Sequence, residues 1–193
     1  MKLRISLTVV LIWLIIGTMI AQTNKDCEVV TLQLNENGNF LNNPKIPVLL
    51  YKNAFDFENL DPVAVIEKVI KDNNWGGVWV NGIYNFQHYH STAHEVLIVF
   101  EGWAEVQLGG PGNKNLRIDT GDVVILPAGT AHKRIDSGDN FAVVGAYPEN
   151  QSWDMNYGKK NEKEMARINI DKVKLPKADP VFGENGKMFK YWK

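Results

Sequence analysis

The sequence predicts an all-β domain, an antiparallel sandwich or barrel with an N-terminal arm, one helix and a C-terminal tail. Short strand-like runs, separated by Gly and Pro, fill the middle of the chain with no helical pattern between them. The one segment with helical periodicity precedes these runs. The 193-residue length suits a single domain. The predicted boundaries are 1–21 for a signal peptide, 22–75 for the arm and helix, 76–150 for the barrel and 151–193 for a wrapping tail.

The chain opens with a basic start, an apolar run and a small residue, the pattern of a secretory signal peptide. Lys2 and Arg4 precede the apolar run 5–20, and Ala21 offers the cleavage position. We therefore expect a secreted or periplasmic protein that begins at Gln22, with no stable membrane insertion after signal removal. A retained membrane anchor is the alternative, because a span takes roughly 17 to 25 apolar residues and this run lies at the short limit.

Two strand-like runs, 29–34 and 48–51, form the predicted arm, and residues that favour turns separate them. A helix then begins at Pro62 with Asp61 as its N-cap and ends near Asn73. Its apolar side chains share one face, which predicts a packing element: Val63, Ile66, Val69 and Ile70.

The predicted barrel strands begin near Trp79, after the helix, and continue to Pro148. They cover residues 83–90, 95–101, 103–108, 123–126, 133–136 and 141–147. Beyond Pro148 the sequence becomes polar and irregular. We expect this tail to wrap the domain, and disorder at its end is the alternative.

Charge and cysteine content exclude several classes of protein. The formal net charge is −1 and no basic block appears, which argues against a nucleic-acid partner. Cys27 is the only cysteine, so no internal disulfide can form, and we interpret it as a free thiol. The glycine-rich stretch 109–114 lacks the lysine and hydroxyl spacing of a phosphate-binding loop.

A histidine cluster is the main candidate site. The stretch HYHSTAHE at 88–95 holds three of the four histidines in the chain. Because side chains alternate along a strand, His88 and His90 point the same way and His94 faces away. A turn after His90 brings Glu95 back beside them. Imidazole and carboxylate together suit Mn, Fe, Ni, Cu or Zn, whereas calcium favours oxygen ligands. A polar cluster that fills the barrel without a metal is the alternative.

The region from Gly82 to Asp136 resembles the cupin superfamily through two motifs. The first, G(X)5HXH(X)4E(X)6G, is matched at every position by Gly82, His88, His90, Glu95 and Gly102. The second, G(X)5PXG(X)2H(X)3N, is matched by Gly121, Pro127, Gly129 and His132, but Asp136 replaces the asparagine. The stretches HYHSTAHE and VVGAYP further resemble small uncharacterised single-domain bacterial cupins, a resemblance that supplies no reaction.

The resemblance implies a jelly-roll barrel, a metal held by the residues that match the motifs, and frequent dimerisation. By position, the implied ligands are His88, His90, Glu95 and His132. Three nitrogens and one oxygen leave open positions on an octahedral ion for water, substrate or dioxygen. The departure at Asp136 lies outside this ligand set.

Three further residues are candidates for contact with a small-molecule substrate. Tyr84 and Phe86 share the face of His88 if the strand is unbroken, although aromatic residues in a barrel often pack in the core. Arg134 has the parity of His132 and is placed to clamp a carboxylate, with a solvated or structurally paired arginine as the alternative.

Together these features predict an exported cupin that binds a divalent transition metal through three histidines and one glutamate. We expect a metal-dependent enzyme of dioxygenase, decarboxylase or isomerase type that acts on a small polar molecule. A non-catalytic module that binds a metal or small ligand is the alternative, because the sequence offers no clear general acid or base beyond the ligands. Metal-independent sugar epimerases are disfavoured, since they do not need this ligand set.

The strand at 95–101 is apolar on both faces, which raises the question of assembly. An outward row formed by Val96, Ile98 and Phe100 must be covered. This row could be covered by the helix and arm of the same chain or by the sheet of a second subunit. We expect a homodimer, because cupins often pair sheet to sheet.

Overall fold

The computed structural model describes residues 22–193, so the predicted signal peptide 1–21 lies outside the described residues. The strands are β1 (Gln22–Thr23), β2 (Glu28–Leu32), β3 (Val48–Lys52), β4 (Phe55–Asp56), β5 (Trp75–Asn81), β6 (Glu95–Glu101), β7 (Trp103–Leu108), β8 (Lys114–Asp119), β9 (Val123–Leu126), β10 (His132–Ser137) and β11 (Ala142–Pro148). The helices are α1 (Pro62–Asp72), α2 (Lys163–Lys172) and a 3-10 helix (Lys187–Lys190). Within this part of the chain, no helix is both long and apolar enough to cross a membrane.

Two antiparallel sheets build the domain. The larger has six strands in the order β2-β3-β9-β6-β11-β5, and the smaller has three in the order β10-β7-β8. β1 and β4 pair separately. The two main sheets do not close into one continuous barrel, but their strand order is compatible with a jelly roll. The predicted all-β jelly-roll class is therefore confirmed. β2 and β3, which the sequence assigned to an arm, extend the larger sheet.

An apolar core lies on each face of the six-stranded sheet, because its central strands carry apolar residues on both faces. In β6, Leu97 and Val99 belong to the cluster between the two sheets. The intervening residues Val96 and Ile98 belong to a second cluster on the outer face. Glu95 shares the parity of Leu97, so its carboxylate enters the space between the sheets.

Helix α1 covers part of that outer face, and its bounds follow from its sequence. The Asp61 side chain accepts hydrogen bonds from the backbone N–H groups of Val63 and Ala64, which satisfies the free donors of the first turn. Pro62 occupies the first turn, where its missing N–H costs nothing. Ile66 and Ile70 are fully buried against the sheet, as the apolar face predicts.

The C-terminal segment covers the rest of the outer face. Trp192 and Met188 are buried in the same cluster as Ile98. The indole Nε1–H of Trp192 donates to the carbonyl oxygen of Pro47 at 2.9 Å, which ties the end of the chain to the body of the domain. Val96 and Ile98 are therefore covered by their own chain, and this row does not support a homodimer. The homodimer remains a prediction that rests on the family resemblance alone.

Three local expectations were wrong. The predicted strand 83–90 is reduced to isolated bridges, because Tyr89 pairs with Asn156 of the tail instead of joining a sheet. Strand β8 was missed because it has only two apolar residues, Leu116 and Ile118, and only Ile118 is fully buried. Helix α2 was missed in the polar tail because Ala166 is its one fully buried residue.

Candidate metal centre

Four side chains meet between the two sheets. Glu95 begins β6, and His132 begins β10. His88 is held opposite His132 by two backbone hydrogen bonds of 3.2 and 2.9 Å, and their ring centroids lie 4.1 Å apart. The carboxylate oxygen Oε2 of Glu95 lies 3.4 Å from Nε2 of His132 and 3.6 Å from Nε2 of His90. All four residues are at most 5 % exposed. The structure thus brings the four predicted ligands together.

The backbone fixes the same tautomer in all three imidazoles. Each ring Nδ1 faces a backbone carbonyl oxygen: His88 faces Phe86 at 3.1 Å, His132 faces Thr130 at 3.0 Å, and His90 faces Asp154. A carbonyl oxygen can only accept, so in each neutral ring Nδ1 carries the hydrogen and Nε2 keeps its lone pair. Metal-binding histidines are commonly oriented in this way by an N–H bond to a carbonyl.

Only one of the two carboxylate oxygens of Glu95 accepts a hydrogen bond within the described residues. Its Oε1 accepts a hydrogen bond from the Tyr147 hydroxyl at 3.1 Å. Its Oε2 is buried and makes no hydrogen bond within the described residues. A buried carboxylate oxygen left without a partner carries a large desolvation cost, which a bound cation would remove. The residues present therefore fit a divalent ion in donor type, burial and tautomer.

The side chains do not form a finished coordination shell. Across residues 22–193, no three His, Cys, Asp or Glu side chains are arranged as a complete ligand group. Ligand atoms that lie about 2.1 Å from one ion at right angles are about 3 Å apart. The Glu95 contacts with His90 and His132, at 3.6 and 3.4 Å, are slightly longer. Small side-chain rotations would thus bring the donor atoms of Glu95, His90 and His132 to distances that suit one ion.

Burial and charge set different protonation states for the histidines. Burial lowers the pKa of His88 to about 3, and the nearby His132 adds to this effect. Burial also lowers the pKa of His132. Burial opposes the charged form of His90 as well, but the adjacent Glu95 carboxylate outweighs it and raises the His90 pKa. Burial therefore favours the neutral form of His88 and His132, whereas the Glu95 carboxylate favours the protonated form of His90.

A cavity of about 290 Å³ opens onto the four side chains. Its walls are largely aromatic and apolar, and they include Trp79, Tyr84, Tyr147, Trp153 and Met155. The predicted cavity position of Tyr84 agrees with the structure. Phe86 lies outside the lining and stacks on Tyr84 with ring centroids 4.8 Å apart. Arg134 also lies outside it, and its Nη1 donates to Ser137 Oγ at 2.5 Å. The substrate roles of Phe86 and Arg134 remain predictions.

The sequence offers Trp153, Asp154 and Tyr157 of the tail for closing the cavity mouth, with packing as the alternative. In the structure, Asp154 connects the tail to the histidines. Its carboxylate accepts hydrogen bonds from the backbone N–H and the hydroxyl of Ser91, both at 2.5 Å. The Asn156 amide donates to the same carboxylate at 2.8 Å. The signal in the sequence was SWDMNYG after the last strand, but nothing in it names the partners. The neighbouring Trp153 stacks on Tyr147 at the cavity wall.

His94 lies away from the other three histidines, as strand alternation predicts. It is 1 % exposed, and its ring packs on Trp192 with centroids 4.8 Å apart. Its Nδ1 accepts a hydrogen bond from the backbone N–H of Ala128 at 3.0 Å. His94 therefore has a packing role in this structure.

The two-sheet fold and this site define a cupin. The cupin family model matches residues 81–154. The chain is 34% identical over 165 residues to the uncharacterized protein YjlB of Bacillus subtilis (strain 168), a match that covers 86% of this chain and 97% of that protein. The chain therefore belongs to the cupin family.

The chain is also similar to several solved structures at low sequence identity. One is the acireductone dioxygenase from Bacillus anthracis with a cadmium ion in its active center, with 16% identity, 57% of this chain and 83% of that chain covered, and a TM-score of 0.44. Another is tomato vicilin, with 17% identity, coverage of 60% and 30%, and a TM-score of 0.38. A mutant of Bacillus subtilis oxalate decarboxylase OxdC has 17% identity, coverage of 58% and 28%, and a TM-score of 0.36. At this level of similarity, chemistry must be argued from the residues of this chain.

Proposed function

We propose that the protein is an exported, metal-dependent cupin that binds one divalent transition metal through His88, His90, Glu95 and His132. The observation that best supports this proposal is the shared orientation of the three imidazoles, in which each Nδ1 faces a backbone carbonyl oxygen. The Nε2 atoms of His90 and His132 lie 3.6 and 3.4 Å from the buried Glu95 oxygen Oε2, which makes no hydrogen bond within the described residues. Mn, Fe, Ni, Cu and Zn all suit such a set of nitrogen and oxygen donors.

The cavity supports an enzyme that acts on a small molecule. Its volume of about 290 Å³ lies near the lower end of the usual range for ligand pockets. A bound divalent ion would supply a Lewis acid with open coordination positions at the cavity base. Tyr84, Tyr147 and Trp153 would surround the substrate and exclude water from it. Dioxygenase, decarboxylase and isomerase chemistry all fit this arrangement.

One observation favours a non-catalytic binding module as the second candidate. Among the described residues that line the cavity, there is no Lys, Arg or Asp. Apart from the proposed ligands, the side-chain groups available for proton transfer there are the hydroxyls of Tyr84 and Tyr147. Screening the metal-loaded protein against small oxygenated compounds separates the candidates, because an enzyme converts at least one and a binding module converts none.

Elemental analysis of the protein purified from its native compartment tests the metal proposal. About one transition-metal ion per chain is expected, and its identity would narrow the reaction class. Stoichiometric iron or manganese would favour redox or decarboxylation chemistry. A folded protein that remains metal-free after exposure to each candidate ion would contradict the proposal.

The export proposal rests on the basic start and apolar run before Ala21. Sequencing the N-terminus of protein recovered outside the cytoplasm should give Gln22 as the first residue. Recovery of an intact Met1 in the membrane fraction would establish the anchor alternative instead.

A further inference from the structure

A chain of hydrogen bonds ends at the proposed carboxylate ligand. The indole Nε1–H of Trp79 donates to the Tyr147 hydroxyl at 3.2 Å. That hydroxyl donates in turn to Oε1 of Glu95 at 3.1 Å. Tyr147 and Glu95 are 5 % and 3 % exposed, so solvent competes little for the bond between them.

Gly145 leaves space for the Trp79 indole, which is the first donor in this series of hydrogen bonds. It lies on β11 directly opposite Trp79 of β5, two residues before Tyr147. A Cβ atom at this position would lie 2.1 Å from the Cε2 and Cζ2 atoms of the Trp79 indole. The absence of a side chain therefore lets the indole lie against β11, where its Nε1 reaches the Tyr147 hydroxyl.

These hydrogen bonds make the two carboxylate oxygens of Glu95 different from each other. A phenol has an ordinary pKa of about 10, so Tyr147 is protonated near pH 7 and donates its hydrogen to Oε1. Oε2 makes no hydrogen bond within residues 22–193 and lies 3.4 Å from Nε2 of His132. One oxygen is thus held by the protein while the other faces the histidines.

We propose that Tyr147, held by Trp79, is a positioning residue that fixes the Glu95 carboxylate so that Oε2 is presented to the metal. This inference rests on the proposed function, because it assigns a role at the same metal site. The Tyr147 hydroxyl also lines the cavity, so the ligand geometry and the cavity wall share one group.

Titration of Tyr147→Phe with Zn²⁺ in a calorimeter tests the proposal. Loss of the hydroxyl should weaken Zn²⁺ binding about tenfold, as expected when an outer partner of a ligand is removed. Tyr84→Phe is the matched control, because its ring lines the same cavity but its hydroxyl bonds to no described residue. An unchanged affinity in Tyr147→Phe, or an equal loss in Tyr84→Phe, would overturn the proposal.

Testing Tyr147→Phe in a variant that lacks Glu95 shows whether Tyr147 acts on metal binding through Glu95 or by disturbing the whole site. If Tyr147 acts through Glu95, adding Tyr147→Phe to Glu95→Ala should change the remaining Zn²⁺ affinity less than twofold. A tenfold loss in both backgrounds would mean that Tyr147 acts on the site by another route. Should Glu95→Ala fail to fold, Glu95→Leu replaces it, because leucine also lacks an acceptor for the Tyr147 hydroxyl, and the same comparison applies.

Unfolding of the metal-free protein keeps this inference distinct from the metal proposal. A double-mutant cycle between Tyr147→Phe and Glu95→Ala, or Glu95→Leu in its place, should show non-additive effects, with coupling of about fivefold in the unfolding equilibrium constant. If the wild type binds no Zn²⁺ but shows this coupling, the metal site is contradicted, whereas the contact between Tyr147 and Glu95 is supported. Additive effects would overturn the Tyr147–Glu95 contact itself, whatever the metal result.

Discussion

The backbone carbonyl oxygen of Asp154 accepts a hydrogen bond from Nδ1 of His90, a residue 64 positions earlier in the chain. The Asp154 carboxylate holds the backbone and hydroxyl of the next residue, Ser91. A single residue of the tail therefore orients a proposed metal ligand and also holds the loop that carries it. This connection makes the tail part of the site.

Replacement of Asp154 by Ala should weaken both the fold and metal binding. The change removes charge-assisted hydrogen bonds to Ser91 and Asn156, so the free energy of unfolding should fall by about 1–3 kcal/mol. Looser support for His90 should lower metal affinity roughly tenfold. Urea unfolding and calorimetric titration measure the two effects. The exposed Asp139→Ala is the control, and equal behaviour of the two variants would contradict the role of Asp154.

Metal affinity should depend on pH through His90. Burial lowers the pKa of His88 to about 3 and also lowers that of His132, which favours the neutral form of both. The Glu95 carboxylate raises the pKa of His90 despite its burial, and a protonated His90 cannot ligate. Affinity should therefore rise with pH through the raised His90 pKa and then level off, with about one proton released per ion.

Calorimetric titrations from about pH 5.5 to about pH 8.5 measure this dependence. Glu95→Gln removes the charge that raises the His90 pKa, so the transition should move to lower pH while the affinity falls. A wild-type affinity that is independent of pH over this range would show that His90 does not titrate as the structure indicates.

His90 and His94 should respond differently to substitution. His90→Ala should lower metal occupancy sharply, because its Nε2 lies beside Glu95. His94→Ala should leave occupancy unchanged but destabilise the fold, because it removes the contact with Trp192 and the acceptor for Ala128. Metal analysis and thermal unfolding of both variants test this pair. An equal loss of metal in the two variants would require His94 to be a ligand or its support.

Ile98 should behave as a core residue. It is fully buried beneath α1 and the C-terminal segment, so Ile98→Ala should cost about 2–5 kcal/mol of unfolding free energy. Ile98→Glu should unfold the protein instead of yielding a folded monomer, because the charge has no partner in this cluster. Denaturant titration and ultracentrifugation measure these outcomes. A folded, monomeric Ile98→Glu beside a dimeric wild type would restore an interface at this row.

Local patterns were sufficient to predict α1, β6, β7 and β9, because their caps or apolar runs are continuous in sequence. The resemblance to the two cupin motifs implied the four proposed ligands, whose spacing is local within each motif. The role of Tyr147 and the contacts of Asp154 with His90 and Ser91 were not predicted, because the partners lie 52 and 63 to 64 positions away and only the folded chain brings them together. For the same reason, the sequence did not decide whether Val96 and Ile98 are covered by their own chain or by a second subunit.

Zn²⁺ titration of the metal-free protein, followed by elemental analysis after gel filtration, tests the proposed metal centre most directly. The wild type should retain one ion per chain, and the combined His88→Ala and His132→Ala variant should retain none while remaining folded. His94→Ala should retain one ion. A wild type without a retained ion, or a double variant that binds as tightly as the wild type, would contradict a metal centre built from these residues.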